Sequence, residues 1–186
     1  QTCALPIFAG SVAVCENGNY YNRFYFVHPD GAVQHYDKKH LFTFGGEHKR
    51  FTAGTERVVV NFRGVRILLE VCYDLRFPVW SRNLGDFDMI LYVASWPTPR
   101  VDAWSALLRA RAIENQCYVA GVNRMGTDPA CEYSGGSAII DPYGKTIAEC
   151  PWSRESAVSA DIDMEALQAF RKKFPVLDDA DPFTLI

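Results

Sequence analysis

One stretch constrains this chain more than any other: Ile67-Leu68-Leu69-Glu70-Val71-Cys72-Tyr73-Asp74-Leu75-Arg76-Phe77-Pro78. Its apolar opening reads as a buried strand. The strand delivers Cys72 into a short polar turn. Pro78 follows where a proline can open a helix, because the N–H it lacks would be unpaired there anyway. A cysteine at a strand tip that turns at once into a helix start suits covalent catalysis, since the next backbone N–H groups point at whatever the sulfur attacks. Taken alone, the stretch also fits a buried cysteine acting as a small apolar residue.

Composition narrows the remaining choices. The 186 residues suffice for one domain with a real core, and 48% hydrophobic with 22% charged residues is an ordinary globular balance. A net charge of −3 leaves no basic footprint, so no nucleic-acid partner is expected. No apolar run approaches the length of a membrane span. The cysteines at 3, 15, 72, 117, 131 and 150 form no C-x-x-C pair, which reads as reduced thiols in a cytoplasmic protein. The histidines at 28, 35, 40 and 48 lack H-E-x-x-H spacing and no cysteine sits near them, so neither a metal site nor a cofactor is expected.

Gln1 to Ile7 reads as the translated end of a sequencing adapter and is set aside as a non-native leader, leaving residues 8–186 as a single domain. Phe8 to Val14 reads as a buried strand. Tyr21 to Val27 and Val33 to Lys38 follow as strands around Asn17-Gly18 and Pro29-Asp30-Gly31 turns, a meander of hairpins. Residues 39–54 form a long connection without periodicity, and its aromatic content argues for function rather than disorder. Val58 to Phe62 and Val65 to Val71 are strands around Arg63-Gly64. Met89 to Ala94 suits a parallel strand covered on both faces. Ala103 to Asn115 is the clearest helix, with Trp104, Leu107, Leu108 and Ala112 on one face and Asp102 placed as its cap. Strands are expected over Cys117 to Val122, Ser137 to Ile140, Lys145 to Glu149 and Ala157 to Ile162. A last helix runs from Met164 to Phe174, capped by Asp163. Hairpins dominate the first half and helices alternate with strands in the second, so the class is α/β with mixed sheets covered by helices. The tail mixes Asp178, Asp179 and Asp181 with Phe183, Leu185 and Ile186. It is expected to pack on a partner subunit, in a homodimer or higher homo-oligomer of the full-length protein.

Tyr36-Asp37-Lys38-Lys39-His40-Leu41-Phe42 carries the second chemical signal. Lys38 lies where a strand gives way to the long loop. Beside a cysteine, a lysine holds a thiolate and lowers its pKa, and it stabilises the oxyanion formed by attack on a carbonyl. Two surface lysines are the plainer reading of this segment by itself.

These motifs, followed by Ala110-Arg111-Ala112-Ile113-Glu114-Asn115-Gln116 and Gly136-Ser137-Ala138-Ile139-Ile140-Asp141-Pro142-Tyr143-Gly144, resemble the nitrilase (carbon–nitrogen hydrolase) superfamily in that order. The resemblance covers residues 8 to 186 and leans toward bacterial omega-amidases through His40-Leu41-Phe42 with Glu47-His48, the Asp74 to Asn83 run, and Trp96-Pro97 near Arg100. It implies a nitrilase-like α-β-β-α sandwich with two mixed sheets and a Glu–Lys–Cys triad acting on a small-molecule amide. Cys72 matches the nucleophile and Lys38 the lysine. Tyr73 matches the residue whose N–H joins the oxyanion hole. Glu47 matches a second glutamate that positions the lysine and substrate.

The family's general-base glutamate follows its first strand, and this chain starts later. The resemblance therefore implies that the base, the first strand and one or two helices are missing. Arg76, Arg100 or Arg124 is a candidate for the distal carboxylate of a dicarboxylic monoamide, and Trp96 for a pocket wall. Glu114 reads as half of a structural ion pair, and Cys117, Cys131 and Cys150 as inert. The expected activity is release of ammonia from an omega-amide such as 2-oxoglutaramate through a thioester. The alternatives are a carbamoyl or nitrile hydrolase, a catalytically dead binding or dimerisation unit, and a redox-sensing thiol.

Overall fold

A computed structural model of the chain describes residues 8–184. The leader expected over Gln1 to Ile7, and Leu185 and Ile186 of the tail, lie outside the described residues. The first hairpins form a three-stranded antiparallel sheet of β1 (Phe8–Glu16), β2 (Asn19–Val27) and β3 (Val33–Asp37), in that order. A second sheet has six strands. They are β4 (Val59–Phe62), β5 (Val65–Val71), β6 (Met89–Ala94), β7 (Tyr118–Asn123), β10 (Ala138–Ile140) and β11 (Thr146–Glu149). Within it β5, β6 and β7 are parallel, so their C-terminal ends share one edge. A short ribbon of β8 (Met125–Thr127) and β9 (Glu132–Ser134) was not legible in the sequence. Two α-helices complete the described elements, α1 (Val101–Glu114) and α2 (Met164–Lys173). None of the described helices is long and apolar enough to cross a membrane.

Strand alternation splits the core in two. On β5, Leu68 joins Ile90, Tyr92 and Val119 under Trp104, Leu108 and Ala112 of α1. Ile67, Leu69 and Val71 point the other way and meet Phe24, Phe26 and Tyr36 of the three-stranded sheet. The described layers are thus helix, sheet and sheet, three of the four layers of the expected sandwich. Both faces of the six-stranded sheet are apolar, which explains the unbroken runs in β5 and β6.

Gly121 on β7 lets α1 approach. A Cβ there would lie 2.6 Å from Leu108 Cδ1 and 2.8 Å from Trp104 Cζ2. Both side chains are buried, and the Trp104 indole N–H is tied to the Gly136 carbonyl at 2.8 Å. Gly121→Ala is expected to cost about 1–3 kcal/mol by overpacking, read as a lowered denaturant midpoint. An unchanged midpoint would show that α1 can lift off the sheet freely.

Four sequence expectations need correction. β1 forms, but it is not buried: Phe8 and Val12 are 44% and 45% exposed, because no described layer covers the outer face of its sheet. No α-helix follows Cys72. Residues Cys72–Arg76 make a 3₁₀ turn that ends before Pro78, so the proline opens nothing. The position before α1 belongs to Arg100, which makes no side-chain cap bond, and Asp102 sits within the first turn. Residues 157–162 are irregular and mostly exposed. Their apolar–polar alternation suits a strand, yet a strand exists only against a neighbour, and none of the described strands pairs with them. Asp163 does cap α2, accepting the Ala166 N–H at 2.8 Å.

Candidate active site

The site lies at the shared C-terminal edge of β5 and β6, where the three-stranded sheet meets the six-stranded one. A cavity of about 230 Å³ opens there, and Lys38, Glu47, Cys72, Tyr73, Arg76, Trp96 and Arg100 all line it. Arg124 does not. It pairs with Asp128 at 3.6 Å and covers the Tyr133 ring.

Cys72 is the first residue beyond β5 and has φ +48°. That left-handed conformation costs an L-residue roughly 1–2 kcal/mol and is typical of strain held at functional turns. The neighbouring Asp74 holds it in place. Its buried carboxylate accepts the Val71 N–H at 3.0 Å, the Tyr36 hydroxyl at 2.8 Å and the His40 N–H at 2.9 Å. The His40 ring lies 2.9 Å away through Nδ1 and stacks on Phe77 with 3.8 Å between ring centroids. A capping carboxylate thus ties the turn after the cysteine to the residues around Lys38.

Lys38 follows β3 directly. On β2, Arg23 grips Asp37 through two hydrogen bonds of 2.7 and 2.9 Å, and Glu16 of β1 through another of 2.9 Å. This fixes the end of β3 on the outer face of its sheet, and alternation sends Lys38 inward. The Lys38 N–H donates to the Asn22 carbonyl at 3.0 Å, and its own carbonyl accepts the Gly54 N–H at 2.9 Å. Only glycine suits position 54, since a Cβ would lie 2.1 Å from the Asp37 carbonyl oxygen. The long connection therefore leaves at Lys38 and returns to it.

Within that connection, Gly46 at φ +75° turns the chain into a short 3₁₀ turn that begins with Glu47. Glu47 Oε2 accepts from Lys38 Nζ and from the Phe42 N–H, each at 2.6 Å. Its Oε1 accepts from Asn22 Nδ2 at 3.1 Å. Burial works to raise the Glu47 pKa, but Lys38 and the other donors outweigh it and hold the carboxyl below its ordinary value. Sequence reasoning missed Asn22. In β2 it looked like one more polar residue of an alternating hairpin.

The thiol titrates the other way. Burial pushes the Cys72 pKa up, and Lys38 only partly offsets this, while Glu47 and Asp74 add to the rise. The net direction is opposite to the lowering expected from Lys38 alone, because burial outweighs the ammonium. Sγ lies 3.9 Å from the Ser95 carbonyl oxygen.

Two guanidinium groups border the cavity. Arg76 lies over the Trp96 ring at 5.0 Å and Arg100 over the Phe42 ring at 5.5 Å. Trp96 is itself buried and fixed by its indole N–H, which donates to the Arg100 carbonyl at 2.7 Å. Neither arginine makes an ion pair among the described residues, whereas Lys38 and Glu47 neutralise each other. The cavity is left with surplus positive charge at its mouth. Glu114 pairs with Arg111 at 2.8 Å, a structural contact. Burial pushes the Cys117 thiol far above its ordinary range.

The same arrangement of thiol, lysine and carboxylate on paired sheets brings known proteins into comparison. Residues 2–172 match the family model described as carbon-nitrogen hydrolase. The chain is 53% identical over 180 residues to the omega-amidase YafV of Escherichia coli (strain K12), covering 96% of this chain and 70% of that protein. It is 42% identical over 176 residues to the 2-oxoglutaramate amidase of Bacillus subtilis (strain 168), covering 93% of this chain and 68% of that one. Among solved structures, XC1258 from Xanthomonas campestris superposes with a TM-score of 0.92 at 47% identity, over 95% of this chain and 70% of that one. XC1258 is described as a CN-hydrolase superfamily protein with an arsenic adduct in its active site. With its ordered motifs, its paired sheets and these matches, the chain belongs to the carbon–nitrogen hydrolase family of the nitrilase superfamily, of the YafV type.

Proposed function

We propose that this protein hydrolyses the omega-amide of a dicarboxylic acid, 2-oxoglutaramate being the model substrate, through a thioester on Cys72. One observation carries the reading: a single cavity joins a thiol, a buried ammonium–carboxylate pair and two guanidinium groups that have no ion-pair partner among the described residues. The names of the relatives point the same way. The guanidiniums of Arg76 and Arg100 take the distal carboxylate, with Trp96 beside both. In this reading the amide carbon lies against Cys72.

The sulfur attacks that carbon as its proton passes to a carboxylate. The oxyanion is held by Lys38 Nζ and the Tyr73 N–H. The C–N bond then breaks and the nitrogen leaves as ammonia with the transferred proton. Water, deprotonated by the same carboxylate, cleaves the thioester and restores the thiol and the free acid. Glu47 is poorly suited to be that base. It already accepts three hydrogen bonds and is held as a weakly basic anion, facing a thiol of raised pKa. Its role is to orient Lys38, and the proton goes to the glutamate that the family carries after its first strand.

The test is ammonia release from 2-oxoglutaramate by the chain preceded by the family's first strand and its glutamate, with Cys72→Ala as the control. Cys72-dependent release that survives replacement of the amide by other omega-amides, but not by nitriles or carbamoyl compounds, is the expected result. A chain that releases ammonia equally well with and without Cys72 would overturn the mechanism. Retention of full activity in Glu47→Asp together with its loss in every other cavity variant would instead make Glu47 the base.

A further inference from the structure

The Lys38–Glu47 pair has a third member that neither the motifs nor the relatives' names single out. Asn22 sits on β2, on the inward face that it shares with Phe24 and Phe26. It is held to both halves of the pair at once. Its backbone carbonyl accepts the Lys38 N–H at 3.0 Å, and its side-chain amide donates to Glu47 Oε1 at 3.1 Å. The other Glu47 oxygen is taken by Lys38 Nζ and the Phe42 N–H. We propose that Asn22 is a positioning residue for the reaction: it locks the carboxylate of Glu47 in rotation, and so fixes where the Lys38 ammonium stands relative to the Cys72 sulfur.

The physical argument is one of degrees of freedom. A carboxylate held at a single oxygen can swing about its last side-chain bond and carry a flexible lysine with it. Held at both oxygens, it presents Oε2 in one direction, and the ammonium has one place to sit. Such positioning bears directly on rate, because small misplacements of a charged group at the reacting centre are costly. Asparagine is the fitting residue type. It is neutral and can donate, whereas aspartate would set a second carboxylate 3.1 Å from the first. The inference rests on the roles proposed above for Lys38 and Glu47.

The experiment reads the thiol itself, so it does not depend on turnover. Cys72 alkylation by iodoacetamide is followed against pH in the whole chain, resolved from exposed Cys15 and half-buried Cys131 by peptide mass spectrometry. The charged groups around the sulfur are Lys38 after β3, Glu47 from the long connection, Asp74 from its own turn, and Arg76 and Arg100 at the cavity wall. In Asn22→Leu the pair loosens, the ammonium moves away on average, and the alkylation midpoint moves up. In Asn22→Asp the added negative charge moves it further, by about one pH unit. Where ammonia release is measurable, kcat falls about tenfold to a hundredfold while KM stays within twofold. An alkylation midpoint unchanged in both variants, with only the melting temperature lowered, would overturn the proposal and leave Asn22 a structural residue. Shifted midpoints in a protein that releases no ammonia even when preceded by the family's first strand and its glutamate would keep the positioning role and instead defeat the amidase reading.

Discussion

Lys38→Met is expected to lower kcat by about 10²–10³-fold and to destabilise the fold by about 3–5 kcal/mol at neutral pH. The kinetic loss follows from the oxyanion-donor role proposed for Lys38. The loss of stability has a separate origin. Lys38 and Glu47 are 3% and 14% exposed, so the substitution strands a buried carboxylate. The pH dependence gives the signature. In the parent, Glu47 has a folded pKa below its ordinary value. Its contribution to stability is present above the ordinary carboxylate range and is lost as pH falls through the folded value. In Lys38→Met, burial is opposed by less, so lowering the pH relieves the variant instead. Thermal unfolding between pH 4 and 8 checks this. The double variant Lys38→Met, Glu47→Gln should recover most of the stability and none of the rate. A double variant no more stable than Lys38→Met would show that the ammonium stabilises through its packing alone.

The second large effect lies one layer below the cysteine. Glu70 is fully buried on β5, facing α1 and the helix-side core. Ser81 Oγ donates to its Oε2 at 2.8 Å, and the Tyr92 hydroxyl donates to Ser81 Oγ at 3.1 Å. Burial, with the charge of Asp74 next, pushes the Glu70 pKa up to about 8, against a smaller pull from its hydrogen bonds and Arg111. At neutral pH the folded protein carries it protonated, while the unfolded chain ionises it. A raised folded pKa gives stability that is complete below about pH 4.5 and declines as pH climbs toward 8. Glu70→Gln keeps the shape of the protonated acid and cannot ionise. It is expected to be more stable than the parent at pH 8 by on the order of 3 kcal/mol, and equal to it near pH 4. Urea denaturation at the two pH values measures the difference. Parallel pH profiles for parent and variant would refute it.

The parts of this fold that depend on neighbours in sequence were legible, and those that depend on neighbours in space were not. Alternation placed β2, apolar runs placed β5 and β6, and the spacing of Trp104, Leu108 and Ala112 placed α1. Cys72 stood out because a strand feeds it into a turn. Lys38 and Glu47 stood out only through the order of motifs, since a lysine and a loop glutamate carry no signal alone. The turn after Cys72 was misjudged as a helix because its form is set by what Asp74 grips, Tyr36 and His40 among them, some 34 to 38 residues away in sequence. Asn22 and Glu70 stayed hidden for a related reason. A polar residue in an alternating strand looks solvated, and one carboxylate in an apolar run looks like an edge. Residues 157–162 show the opposite failure, a good local pattern with no described strand to pair with.

The cavity is built across a seam. Asn22 and Lys38 come from the three-stranded sheet, and Cys72 and Trp96 from the ends of strands in the six-stranded one. Apart from this edge, the two sheets meet through aromatic and aliphatic side chains, which adhere without fixing register. A molecule that touches the ammonium on one sheet and the turn on the other is therefore a fastener as well as a reactant. Each occupied site adds a polar tie beside those that Asp74 already makes to Tyr36 and His40, and the tie strengthens with the concentration of what fills it. A ligand seated across the seam is therefore expected to raise the melting temperature in step with its concentration.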